Sequence, residues 1–456
     1  MLTTGVLVLL TGPDEPDLVA RLDSPGTSLR VVRRCADLTE VMGAAEAGLG
    51  AVAILELGRG VDRARVAHLR SLGLRVLMLV PSHSLERARG LGADAVQETG
   101  PDFVAHTVEQ VQTLARAQAS SGTTSPQPSS PHSTTAQSTT AQAQLNPAAP
   151  QGAALPGEQA ASSVANGDVP GEPSRGRVIA VWGCAGAPGR TTIAANVATE
   201  LALVGASTLL FDVDTLAPSL AQVLGVPQEA AGIATLARAA GQGVLDTQTL
   251  LIRTVGLGSG VRFCPGLSRA DRWRELAPVS LDAVWDVARS AADQVVLDLA
   301  AGLEEAPARG VDRWGATRSA LMAADAILVV VGADPIGMRR AVLAMGELDE
   351  AGVSAPRYIV ATNVRPATAG PRAAEAVSQT LMQFAGMPPA ALIPEDRAAF
   401  DGALLAGITL AEQAPRSKAR EAIRELAFLV AGLQVPASAG RRWRVRRPAE
   451  GVRMGG

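Results

Sequence analysis

The stretch best equipped for chemistry reads RVIAVWGCAGAPGRTTIAANVATELALVGASTLLFDVDTLAPSLAQVLGV, from Arg177 to Val226. Val178 to Trp182 is an apolar run, and Gly183 to Gly189 is a loop of glycine, alanine and proline. From Thr191 onward, Ile193, Val197, Leu201 and Val204 mark one face of a helix. A strand, a glycine loop and a helix start aim backbone N–H groups and the positive end of a helix dipole at one point, which suits phosphate. Against the pattern GxxxxGK[ST], the residues Cys184 to Thr191 keep the last glycine and the hydroxyl but lack the first glycine and the lysine. Two more apolar runs end in carboxylates: Leu209 onward in Asp212-Val213-Asp214, and Gln294 onward in Asp298. Carboxylates at such strand ends suit a metal-bound triphosphate.

Other chemistries have little raw material. His68, His83, His106 and His132 stand apart, and Cys35, Cys184 and Cys264 lack CxxC spacing, so neither a zinc site nor a Cys/His pair is expected. Cys184 reads as a small filler in its loop. Of 456 residues, 47% are hydrophobic and 19% are charged, and a net charge of -3 gives no global pull toward nucleic acid or anionic lipid. No run of apolar residues is long enough for a membrane span, and the start Val6 to Leu10 reads as a strand. Scattered, unpaired cysteines point to a reducing compartment, so a cytoplasmic location is expected. Lys418 is the only lysine, so nearly every cation is arginine.

The elements that position these residues fall into two sets. Residues 1–116 alternate short β-type runs (Val6 to Leu10, Leu29 to Val32, Ala51 to Leu55, Leu74 to Leu79, Asp94 to Val96) with helical segments. Five such units predict a doubly wound parallel sheet. Residues 117–176 turn to Ser, Thr, Pro, Ala and Gln, too poor in large apolar side chains to offset ordering entropy, and are expected to be a disordered linker. Residues 177–436 add buried strands at Val178, Leu209, Gln294, Val329 and Tyr358, predicting a second doubly wound sheet of α/β class. Residues 437–456 form a basic tail.

Taken in order, DVDTLAPSLAQVLGV, VVLDLAAGLE, AILVVVGADPIGMRRA, YIVATNVRP and ALIPEDRAAFDGALLAGITLAEQAP resemble the MinD/ParA family of deviant-Walker P-loop ATPases over nearly all of Arg177 to Val435. The likeness extends to the CpaE/TadZ-like branch, which carries a receiver-like N-terminal domain and is associated with pilus assembly and with polar or septal positioning. The resemblance implies ATP and Mg²⁺ as cofactors. It implies that Thr191 is the Mg²⁺ hydroxyl ligand and that Gly186, Gly189, Arg190 and Thr192 surround the phosphates. By the same resemblance Asp214 orients the attacking water, Asp212 and Asp298 support the metal shell, Asn363 contacts the base, and Ile393-Pro394-Glu395-Asp396 flanks it. Two departures bear on turnover. The family's trans-acting lysine falls on Ala185, and its P-loop lysine on Arg190, a longer, planar cation. The expected function is therefore a weak or dimer-gated ATPase acting as a positioning factor in pilus assembly, septum placement or partitioning. A nucleotide-binding scaffold without hydrolysis is the alternative.

The first segment resembles the receiver domain of two-component regulators, but its chemistry is altered. The place of the phosphoacceptor carries Glu56, the acidic pair is replaced by Thr11-Gly12, and the lysine place carries Thr99 or Gly100. A pseudo-receiver that binds a protein partner is expected. The resemblance further implies a homodimer with ATP. At the C-terminal end, Arg441, Arg442, Arg444, Arg446 and Arg447 surround Trp443 before Pro448. That run suits a solvated tail or an anionic membrane surface at the inner face of the cell membrane, and less so nucleic acid.

Overall fold

Strands buried on both faces set the frame, because parallel sheets put helices on either side. The computed structural model describes residues 3–121 and 175–433, apart from 13, 59, 101, 228–231 and 305–311. Residues 122–174 of the expected linker and the arginine-rich tail lie outside the described residues. The first residues of the expected linker are helical, since the helix Phe103–Ser121 continues through Ala117 and Gln118, both good helix formers.

β1 (Thr4–Leu9), β2 (Leu29–Arg34), β3 (Val52–Glu56), β4 (Arg75–Val80) and β5 (Ala95–Glu98) form a parallel sheet in the order β2-β1-β3-β4-β5. Period-two alternation divides β1 between two cores: Leu7 and Leu9 pack on one side, Val6 and Val8 on the other. The strand order reverses between β1 and β3, which opens a crevice at their carboxyl ends.

The second sheet comprises β6 (Arg177–Trp182), β7 (Thr208–Val213), β8 (Val255–Gly256), β9 (Arg262–Cys264), β10 (Gln294–Leu299), β11 (Ala326–Gly332), β12 (Arg357–Val364) and β13 (Ala391–Pro394). Its order is β13-β12-β11-β6-β10-β7-β9-β8, parallel throughout except for β8 against β9. Alternation again splits each central strand. Val178, Ala180 and Trp182 of β6 enter one core and Ile179 and Val181 the other, and Val295, Leu297 and Leu299 of β10 oppose Val296 in the same way. The helix Arg190–Leu203, which follows β6, is buried along most of its length. Its Glu200 accepts from Nε of Arg420 on the helix Lys418–Ala431 at 2.6 Å, which satisfies a carboxylate only 3% exposed.

The two sheets belong to one compact unit. Arg63 donates from Nε to the Val279 carbonyl at 2.9 Å. Gly90 lies against Gly243 so closely that a Cβ on Gly90 would sit 2.8 Å from the Gly243 oxygen. Only paired glycines permit that approach of two backbones.

Candidate functional site

The site is built on the turn between β6 and the helix Arg190–Leu203. Val181 and Trp182 end β6 in the core, so the chain leaves the sheet at its carboxyl edge. The turn is held at three points. Gly302 donates its N–H to the Gly183 carbonyl at 3.0 Å, the Ala187 N–H reaches the Cys184 carbonyl at 3.1 Å, and Thr362 Oγ1 donates to the Pro188 carbonyl at 3.0 Å. Gly186 and Gly189 adopt left-handed φ values of 76° and 90°, which residues with a Cβ rarely take. Gly189 is the helix N-cap, and the N–H groups of Arg190, Thr191 and Thr192 lie in the first turn, where no intrahelical acceptor exists.

Three carboxylates converge beside this turn, and their surroundings differ. Asp212 is 1% exposed and accepts from the N–H groups of Asp214 at 3.2 Å and Leu220 at 3.0 Å. Burial pushes its carboxyl up to about 7, with the Asp214 charge adding to the rise and the Leu220 N–H opposing it. Gly266 faces it so closely that a Cβ would lie 2.6 Å from the carboxylate carbon. Asp214 uses one oxygen to cap its own turn, accepting from Leu216 and Ala217 N–H at 2.8 and 2.9 Å. Its other oxygen lies 4.0 Å from Arg190 Nη2.

Asp298, at the end of β10, is fully buried, and neither of its oxygens has a hydrogen-bond partner among the described residues. Burial raises its carboxyl well above the ordinary range, and the Asp212 charge raises it further. The nearby Thr191 hydroxyl opposes the rise without meeting full hydrogen-bond geometry toward either oxygen. Unpartnered buried carboxylates are rare and strongly destabilising unless a ligand or cation completes them. This orphaned acceptor pair, behind a hydroxyl at a helix start, fits a divalent cation held jointly by protein oxygens, water and phosphate. Among the described residues no group of three or more His, Cys, Asp or Glu side chains forms a metal cage of its own. Thr191 Oγ1 also lies 3.5 Å from Ser219 Oγ.

Arg190 turns back on the loop. Nη1 donates to the Ala187 carbonyl at 3.2 Å, while Nε is buried without a partner. Burial raises the Cys184 thiol above its usual value, which keeps it protonated and unreactive.

A cleft of about 260 Å³ opens on the other side of the helix start, lined by Gly189, Thr192, Asn363, Ile393, Glu395 and Asp396 among others. Asn363 takes a left-handed φ of 57° where the β12–β13 register shifts, a conformation Asn tolerates better than most residues. Glu395 is held by Arg365 Nη1 at 2.5 Å, and Asp396 caps the helix Arg397–Ala406 while accepting from Ser417 Oγ at 2.7 Å. Gly186, Gly189, Arg190, Thr191, Thr192, Asp212, Asp214 and Asp298 are thus assembled around one turn, with Asn363 at its flank. Pro394 ends β13 but is not among the residues lining the cleft; its neighbours Ile393 and Glu395 are.

Sequence reasoning missed three contributors. Thr362 pins the loop, Gly266 makes room for Asp212, and Arg340 lies directly over Gly186. Only the first carried a signal, as a hydroxyl at a buried strand end.

No protein-family model matches the chain, and no curated protein matches it either. Among solved structures it is similar to the cell division ATPase MinD of Pyrococcus furiosus, at 23% identity and a TM-score of 0.45 over 55% of this chain and 97% of that one. It is similar to the septum site-determining protein MinD complexed with Mg-ADP from Pyrococcus horikoshii OT3, at 22% identity and a TM-score of 0.45 over 56% and 95%. It is also similar to a ParA family ATPase from Chlorobium tepidum TLS, at 20% identity and a TM-score of 0.47 over 55% and 98%.

Proposed function

We propose that the chain is a MinD/ParA-type nucleotide-binding protein that takes Mg-ATP on the β6 loop and turns it over slowly or only as a dimer. The observation that carries this reading is the pair of unpartnered oxygens on fully buried Asp298, set beside Thr191 and a glycine loop with free first-turn N–H groups. A protein gains nothing by keeping such a carboxylate dry unless something binds there. The loop amides and Arg190 would hold the phosphates, and Thr191 with Asp298 would hold Mg²⁺, whose chemistry is to neutralise and polarise the phosphate oxygens. Asn363 and the cleft beside it would receive the base.

Asp214 would orient a water, but one oxygen is committed to its turn and the other faces Arg190. Arg190 must leave that position to reach a phosphate. Ala185 supplies no charge, so turnover is expected to be slow. Such a protein suits spatial regulation in pilus assembly, septum placement or partitioning, with a partner docking on the N-terminal sheet and the arginine-rich tail resting on an anionic membrane.

Isothermal calorimetry of the full chain with Mg-ATP, paired with phosphate release by wild type, Arg190→Ala and Asp214→Ala, tests the reading. Saturable heat with turnover lost in both variants supports an ATPase. Saturable heat without turnover supports the scaffold that binds without hydrolysis. No heat at millimolar Mg-ATP ends both readings.

A further inference from the structure

We propose that Arg340 is the residue by which this site distinguishes a nucleoside triphosphate from a diphosphate, acting from within the same chain. The inference rests on the reading that the β6 loop binds a nucleotide, and it assigns a second cation to that loop.

Arg340 rises from the helix Pro335–Glu350, whose start is fixed in two ways. Asp334 Oδ1 accepts from the Ile336 and Gly337 N–H groups, each at 2.9 Å. Gly337 rests against the end of β11, where any Cβ would overlap the Gly332 carbonyl. The base of Arg340 is therefore rigid relative to the sheet. Its guanidinium approaches Gly186 with Nη1 nearest: a Cβ there would overlap Nη1 and stand 3.1 Å from Cζ. Gly186 thus serves both the left-handed turn and the seat of this cation.

Among the described residues the charge is uncommitted. Arg340 is half-buried, lines a cavity of about 180 Å³ with Cys184, Gly186 and Pro188, and makes no hydrogen bond or ion pair among the described residues. Arg190, the loop's other cation, is already engaged by the Ala187 carbonyl and lies toward Asp214. A guanidinium held beside a phosphate loop without a carboxylate partner is matched in shape and charge to phosphate oxygens.

Position selects the terminal phosphate. The cleft lined by Gly189, Thr192 and Asn363 and the cavity lined by Gly186 and Arg340 both include Pro188, so the two adjoin along the loop. With the base in the first, the phosphate chain runs along the loop away from Asn363, so its far end approaches Gly186. A triphosphate also adds negative charge close to Asp212, Asp214 and Asp298, where an additional cation has the most effect. The loop therefore carries its own charge compensation, without a contribution from a second chain.

The test is equilibrium binding of Mg-ADP and of the slowly hydrolysed Mg-ATPγS to the full chain, by calorimetry, for wild type, Arg340→Gln and Arg340→Lys. Arg340→Gln is expected to weaken ATPγS about tenfold and to change ADP by less than about twofold, with partial recovery in Arg340→Lys. The ATPγS-to-ADP ratio of the wild type is expected to be independent of protein concentration. Because the guanidinium has no partner among the described residues, the urea midpoints of the variants should match that of wild type. An unchanged ratio in Arg340→Gln, or equal loss of both nucleotides, overturns the proposal while leaving the nucleotide site standing. Failure of the wild type to bind either nucleotide removes both.

Discussion

Two crevices open at the carboxyl ends of parallel strands in this chain, and each holds a carboxylate where a ligand would be expected. At the first, between β1 and β3, Glu56 Oε2 accepts from both the N–H and the hydroxyl of Thr11, at 2.9 and 2.6 Å. At the second, neither oxygen of Asp298 has a full hydrogen-bond partner among the described residues. The topology of the two sheets is related, yet the electrostatic state of the two carboxylates is opposite. A fold offers the crevice, but only an unmet polar demand calls for an occupant. The first carboxylate is satisfied by its own chain and solvent. The second is expensive as it stands.

The largest expected effect follows from that difference and concerns pH. Asp212 is pushed up to about 7 by burial, and burial raises Asp298 in the same direction. A carboxyl whose folded pKa exceeds its unfolded value near about 4 binds its proton more tightly in the native state. The associated stability is therefore fully present below about pH 4 and is lost as pH rises toward about 7. Asp293, held below the usual range by the Ser207 hydroxyl and N–H, acts in the opposite sense only at lower pH and does not mask the window. Urea unfolding without nucleotide should show a loss on the order of a few kcal/mol between about pH 4.5 and about pH 8. Mg-ATP should flatten the curve, since a bound cation favours ionised carboxylates. A flat profile without nucleotide would show that the second crevice is no more strained than the first.

A smaller effect isolates one residue. Asp298→Asn removes the cost of either protonating or charging this buried carboxyl while keeping the shape, and should stabilise the free protein by about 1–3 kcal/mol at neutral pH. The same change should weaken Mg-dependent ATP binding by about 10- to 100-fold, as loss of a group supporting a metal does. The opposite signs of the two effects are the informative feature. A carboxylate with only a structural role would lose stability on replacement and leave binding alone.

Much of this was legible in the sequence, for physical reasons that differ by element. The central strands announce themselves as apolar runs because both faces are buried, as in Val178 to Trp182 and Gln294 to Leu299. The loop is legible because left-handed turns select glycine at 186 and 189, and the carboxylates because Asp at the end of a buried strand is conspicuous. β8, β9 and β13 span two to four residues each and carry no periodicity to read. Arg340 was illegible for another reason. In a chain with a single lysine, one more arginine on a helix looks like solvated surface, and only the position of Gly186 beneath it reveals otherwise. Likewise, the resemblance marked the whole segment Ile393-Pro394-Glu395-Asp396, but that Pro394 alone of the four is not in the lining of the cleft shows only in three dimensions.

The smallest expected effect tests the quiet crevice. Glu56→Gln keeps an acceptor for the Thr11 hydroxyl and N–H but removes the negative charge, and the site is exposed, so stability should fall by less than about 1 kcal/mol. ATP binding at the β6 loop should be unchanged. The more demanding variant is Glu56→Asp, which shortens the side chain and supplies the residue that takes phosphate in receiver chemistry. No acidic pair stands at Thr11-Gly12 to hold a cation beside it. Incubation with acetyl phosphate and Mg²⁺, followed by intact-mass measurement, should therefore leave both wild type and Glu56→Asp unlabelled. Labelling of the wild type would mean that the Thr11 contacts open readily, and that the first crevice is a working phosphorylation site and not a satisfied binding module. Labelling of Glu56→Asp alone would place the block in the side chain's length and leave the contrast between the two crevices intact, since the native glutamate would remain the one that makes no demand.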